Sequence, residues 1–134
     1  MRKLMRLSPI LLMLALAACG SGTENDPMDR TWKLTSLGGD AVVEGTTIDL
    51  TITDQGASGN AGCNTYNGPV VVDTSDNSMT IGPDMISTMM ACEEPIMDQE
   101  LKYLDSLVRV TSYEMAPDEL ILKDAQGIEV AVFN

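Results

Sequence analysis

The 134-residue sequence contains no histidine. That excludes histidine-based triads, imidazole ligation of a metal and the side chain that most often moves protons near neutral pH. Cations are scarce: 8 Lys and Arg stand against 20 Asp and Glu, and Arg2, Lys3 and Arg6 lie at the very start. Without those three the chain carries five cations and a net charge of −15, which repels nucleic-acid phosphate and anionic head groups. No nucleic-acid partner and no cofactor are expected. The apolar run from Ile10 to Leu16 falls short of the roughly 20 residues of a bilayer-spanning helix. Nothing repeats at a fixed period, so a solenoid is not supported.

What is present at the start reads as an export address. The charged opening and the apolar run lead into Leu16-Ala17-Ala18-Cys19, with small residues suited to a signal peptidase. Cys19 at the first mature position resembles the lipobox of bacterial lipoproteins, which implies a signal peptide over residues 1–18 and an acylated thiol that ties the protein to a membrane. Gly20 rather than Asp after the cysteine implies the outer membrane, on its periplasmic face. Residues 19–29 (CGSGTENDPMD) have the composition of a flexible tether, with a reach of roughly 17 Å for about ten residues. The remainder suffices for one domain with a modest core, over residues 30–134.

Within that domain, apolar residues alternate with polar ones: Trp32 and Leu34; Ile48, Leu50 and Ile52; Val70 and Val72; Met79 and Ile81; Tyr113 and Met115; Leu120 and Leu122; Ile128, Val130 and Val132. Period-2 alternation predicts strands with one buried face, hence an antiparallel sheet. Glu93-Glu94-Pro95 opens a predicted helix to Val108, with proline and acids suited to its first turn. At about 100° per residue from Met97, Leu101, Leu104 and Val108 fall within about 40°, a stripe expected to lie on the sheet, with Ile96 and Leu107 on one flank. Glu100 falls at the edge of that stripe. It swings to water or pairs with a nearby backbone N–H, or it is a structural acceptor for the backbone of a neighbouring turn. A proton-transfer role comes last, because no second carboxylate is visibly arranged with it. The last strand, Ile128 to Phe133, is a candidate exposed edge with Glu129 as its guard.

With Cys19 acylated, Cys63 and Cys92 form an even pair in an oxidising compartment, and a disulfide is the natural pairing. The chain-entropy estimate for a loop of about 30 residues is roughly 3.6 kcal/mol. Free thiols or half a zinc site are the alternatives, disfavoured because zinc wants about four ligands and histidine is absent. The segment Ser58-Gly59-Asn60-Ala61-Gly62-Cys63-Asn64-Thr65-Tyr66-Asn67-Gly68 resembles the Ser-Gly-x-x-Gly-Cys-Asn-x-Tyr-x-Gly signature of the META domain family, also called the HslJ-like family. Ser87-Thr88-Met89-Met90-Ala91-Cys92 resembles its second signature, Ser-Thr-x-Met-Ala-Cys. Trp32-x-Leu34, Met97-x-x-Glu100-x-x-Tyr103-Leu104 and Leu120-x-Leu122 follow in the family's order, so the resemblance covers about residues 29–134. Members often carry a basic residue after Gly-Cys-Asn, an aromatic two places later and a basic residue before Met-Ala-Cys; this chain has Thr65, Asn67 and Met89.

The resemblance implies an α+β, mainly β fold: a small antiparallel sheet curled into a half-barrel or cone, with one amphipathic helix packed on it. It links the chain in general terms to heat shock, envelope stress and antibiotic tolerance, and to secretion or motility in some eukaryotic parasites. Trp32, Gly62, Asn64, Tyr66, Gly68, Thr88, Ala91 and Glu100 are the motif positions that carry over. Read from the residues themselves, Gly62 and Gly68 suit positive φ or close backbone approach and Asn64 suits a turn, either as a structural corner or as a ligand-recognition loop.

Three functions follow as expectations. The first is a non-enzymatic envelope lipoprotein whose domain binds a protein or peptide, since no nucleophile with a base is visible and sheet edges accept added strands. The second is a carrier of a small ligand or of calcium. Asp73 and Asp76 are the weak cation candidates, in a segment lacking the spaced acids, glycine and closing glutamate of an EF-hand. The third is an enzyme with an acidic site. Redox work is disfavoured because Cys63 and Cys92 lack Cys-x-x-Cys spacing. The net charge favours a monomer.

Overall fold

The computed structural model describes residues 25–134; Cys19 and the export signal lie outside the described residues. Strands β1 (Arg30–Leu37), β2 (Asp40–Ala41), β3 (Asp49–Thr53), β4 (Gly56–Asn60), β5 (Thr65–Gly68), β6 (Val70–Asp73), β7 (Ser78–Ile81) and β8 (Ile86–Ser87) precede helix α1 (Glu94–Val108). Strands β9 (Val110–Ala116), β10 (Glu119–Asp124) and β11 (Glu129–Phe133) follow. All named pairings are antiparallel, and the sheet runs β6-β7-β9-β10-β11-β1-β3-β4-β5-β8, with β2 added to β1. Strand β1 belongs to both halves, its start pairing with β3 and its end with β11. At Pro69 the chain passes from β5 in one half to β6 in the other, and the Pro69 carbonyl accepts the Gly82 N–H at 2.9 Å. The result, among the described residues, is an antiparallel sheet curled into a half-barrel with a single helix. No helix among the described residues is long and apolar enough to cross a membrane.

The alternating residues fill the concave side as their period requires. Trp32, Ile48, Leu50, Ile52, Met79, Ile81, Leu120, Leu122 and Phe133 are buried, together with Tyr103 and Leu107 of α1. Val70 and Val72 are only half-buried because β6 ends the sheet path. In β11 the expected set shifts: Val130, Ala131 and Phe133 are buried while Ile128 is exposed. Register with β10 slips between Leu122↔Ala131 and Lys123↔Glu129, and one extra residue reverses which side chains face inward. Strand β11 is also no edge, since β10 and β1 pair with it on either side.

Helix α1 occupies the expected span but is rotated. Its buried residues are Gln99, Glu100, Tyr103, Ser106 and Leu107, an arc turned by about 130° from the Met97, Leu101, Leu104 and Val108 stripe. Polar partners decide the matter, because Gln99, Glu100 and Tyr103 each meet hydrogen-bonding groups on the sheet side, as detailed below. The end of the expected tether is also held rather than loose. The Tyr113 hydroxyl donates to the Asn25 carbonyl at 2.7 Å, Trp32 Nε1 donates to the Pro27 carbonyl at 2.9 Å, and Asp29 N–H donates to the Ile52 carbonyl at 2.8 Å. Buried donors need acceptors, and these backbone carbonyls supply them with no apolar pattern to announce it.

Candidate functional site

Between β4 and β5 the chain turns a tight corner. Gly62 adopts φ +116°, a backbone region that a residue with a Cβ avoids. The Asn60 side chain accepts the Gly62 N–H at 2.7 Å, and the Ala61 N–H donates to the Asn64 carbonyl at 2.7 Å. This geometry turns two backbone donors toward α1, where Glu100 Oε2 accepts from Cys63 N–H at 3.1 Å and from Asn64 N–H at 2.7 Å. Glu100 Oε1 accepts from Asn64 Nδ2 at 2.6 Å. The carboxylate, 4 % exposed, is therefore the acceptor for a neighbouring turn.

Asn64 relays this anchor outward. Its Nδ2 also donates to the Met90 carbonyl at 3.2 Å, while Oδ1 accepts the Thr88 hydroxyl at 2.9 Å and the Met90 N–H at 2.7 Å. Both functions of the amide are thus engaged. Thr88 completes the link to β5: its N–H donates to the Thr65 carbonyl at 3.0 Å and its hydroxyl accepts the Thr65 N–H at 3.1 Å. The disulfide between Cys63 and Cys92, with Cα atoms 6.1 Å apart, closes the far end. Residues 82–93, including β8, form a strap across the outer edge of β5, fixed by pairing, by Asn64 and by the disulfide.

Behind the corner lies a second layer. The Tyr66 hydroxyl donates to the Asp49 carbonyl at 2.8 Å and sits 2.7 Å from the Tyr103 hydroxyl. The rings meet edge to face at 5.6 Å, and Tyr103 meets Phe133 likewise at 6.4 Å. Burial raises the pKa of both phenols well above 10.0, because a buried phenolate forfeits hydration. The small residues of the first signature are set by close contact: a Cβ at Gly59 would strike the Asp49 carbonyl, and one at Gly68 would strike Met85 Sδ. Trp32 carries the Arg30 guanidinium 3.7 Å above its ring centre.

The structure thus brings Gly62, Asn64, Tyr66, Thr88 and Glu100 into one assembly with the disulfide. Gly68 packs beneath the strap, Trp32 lies in the core away from it, and Ala91 is exposed. Asp73 and Asp76 stand apart in the β6–β7 turn, where Asp73 accepts from Ser75 and Asp76 from the Ser78 N–H. Among the described residues, no three His, Cys, Asp or Glu side chains gather as a metal site. Sequence reasoning missed Gln99, whose Oε1 accepts the Val43 N–H at 2.7 Å and whose Nε2 donates to Thr46 Oγ1 at 3.0 Å. A buried amide leaves no mark on an apolar wheel.

The polar groups of this assembly bond one another. Beside the exposed Asp84, Thr88 and Glu93, the strap displays large apolar side chains: Met89 is 93 % exposed, Ile86 67 % and Met90 58 %. The model of the META domain matches residues 26–134. No curated protein matches the chain. An NMR structure of a protein from Burkholderia xenovorans is 26 % identical, with a TM-score of 0.64 and 97 % of each chain covered. A second NMR structure, 16 % identical, gives a TM-score of 0.59 over 78 % of this chain and 86 % of its own.

Proposed function

The chain belongs to the META domain family, and from that premise we propose that it is a non-enzymatic envelope lipoprotein whose domain is a protein- or peptide-interaction module. The observation that carries this reading is the division of labour in the two signatures. Their polar groups bond one another, and the segment they brace presents Ile86, Met89 and Met90 to solvent. Large exposed apolar side chains grouped on an acidic surface are characteristic of interaction sites. Among the described residues strand β8 also ends the sheet path, pairing only with β5, so its free side suits strand addition. Attachment through Cys19 at the periplasmic face of the outer membrane, and a role in envelope or heat stress and antibiotic tolerance, belong to the same proposal. The first is supported by the Leu16-Ala17-Ala18-Cys19-Gly20 stretch, the second by family membership alone.

A photo-crosslinking side chain placed at Met89, compared with one at exposed Thr80 on β7, tests the reading in intact cells. The expected result is a discrete product at Met89 that is absent at Thr80 and lost in a Cys63→Ser/Cys92→Ser variant. Identical patterns at both positions would contradict it.

A further inference from the structure

Helix α1 has a second apolar face that the core covers only in part, through Leu104. Met97, Leu101, Leu104 and Val108 recur at i, i+4, i+7 and i+11, spanning about 60° of the wheel and roughly 16 Å of helix. Leu101 is 63 % exposed and Val108 41 %, while Met97 and Leu104 are half-buried. The strap runs beside this stripe. At one end a Cβ on Gly82 would lie 2.9 Å from Val108 Cγ1. At the other, Met90 is bonded to Asn64, which is itself bonded to Glu100. The strap therefore travels from the end of α1 back toward its start, bringing the exposed Met89 and Met90 with it.

Acids border this apolar strip. Glu94, Asp105 and Asp98 lie at about 60°, 80° and 100° on the same wheel, beside the stripe, and the exposed Glu93 caps the start of the helix. The cations of α1 and its C-cap are engaged: Lys102 with Asp40 at 2.8 Å and Arg109 with Asp105 at 3.2 Å. We propose that the α1 and strap face docks a cationic amphipathic segment of a partner protein, its apolar side chains on the stripe and its Lys or Arg residues over Glu94, Asp98 and Glu93. The stripe selects an amphipathic partner and the acids select its sign. Unbranched methionines on the strap adapt to varied apolar surfaces. A second copy of this chain is the wrong occupant, because a self-complementary contact would bring acidic rim against acidic rim.

The inference rests on the interaction-module reading and narrows it to one partner chemistry. The test uses the mature full chain in phosphatidylcholine nanodiscs, with empty discs as control. The probe is a labelled Leu/Lys amphipathic peptide of about 14 residues, long enough to follow the stripe. Comparison peptides are a Leu/Glu peptide of the same pattern and a scrambled Leu/Lys peptide. We expect the Leu/Lys peptide alone to bind. Leu101→Glu/Val108→Glu should weaken it about tenfold or more, and Glu94→Gln/Asp98→Asn should weaken it less and flatten its salt dependence. These four side chains are solvent-facing, and unchanged thermal unfolding confirms an intact fold.

Equal binding of the Leu/Glu or scrambled peptide, no binding, or indifference to Leu101→Glu/Val108→Glu would overturn the proposal. So would self-association lost in that same variant, which would assign the face to a second copy. A precursor that resists the peptide while the mature form binds it would assign the face to the chain's own cationic start, with the same consequence. A Met89 crosslink without peptide binding refutes this inference and leaves the interaction-module reading standing; loss of both refutes both.

Discussion

Glu100 is the residue on which the corner turns, since its two oxygens accept from two backbone N–H groups and one side-chain amide. Glu100→Gln keeps the shape but points an NH2 group at donors, leaving at least one buried donor unpaired. The expected cost is about 2 kcal/mol, read as a lower denaturation midpoint with an unchanged m-value; a change below about 0.5 kcal/mol would show that the bonds contribute little. Tyr66 and Tyr103 give a second outcome. Their folded pKa values lie above the ordinary 10.0 because of burial, so the folded state holds protons that the unfolded state releases. Their contribution is complete below the unfolded value near 10 and is lost as pH rises toward the folded values. Stability should therefore fall from about pH 10 upward, and Tyr66→Phe should flatten that fall in a pH series of unfolding midpoints. At this scale the helical wheel places Glu100 at the edge of the apolar stripe and leaves both water and a neighbouring turn open as its partners. The partner it has was not legible, because Asn64 lies 36 residues away and no local period relates them.

Among the elements, helix α1 shows both the reach and the failure of periodicity. Its span follows from Pro95 and the acids at its start, but two apolar arcs compete on one wheel. Tyr103 and the amide and carboxylate of Gln99 and Glu100 decide which arc faces the sheet. Leu107 is fully buried whereas Leu101 is 63 % exposed. Leu107→Ala should cost about 2–4 kcal/mol, while Leu101→Lys should change stability by less than about 0.5 kcal/mol. Thermal or chemical unfolding of the two variants checks this, and comparable losses would restore the rotation that the apolar stripe alone suggests. Strands β4 and β5 escaped the alternation because Gly56, Gly59 and Gly68 pack through contacts rather than through apolar side chains. The bulge in β11 was illegible for a related reason: alternation assumes an unbroken register.

For the whole molecule, the half-barrel and the disulfide act as one device. The sheet curls until Tyr66 of β5 meets Tyr103 of α1, and the disulfide then ties residues 29 apart in sequence into one corner. The curl was legible from the family resemblance, whereas the antiparallel strands and lone helix were legible from periodicity itself. The assignment of polar residues to support and apolar residues to display was not, since both kinds share the same signatures. That division is the central claim. Native-state hydrogen exchange at the Asn64 and Met90 amides tests it most directly, in the intact protein and in Cys63→Ser/Cys92→Ser. The Asn64 amide should be protected to nearly the global unfolding free energy in both proteins, because Glu100 holds it, while Met90 protection should drop selectively when the disulfide is removed. Exchange of the Asn64 amide at the rate of an open loop in the intact protein would contradict the account.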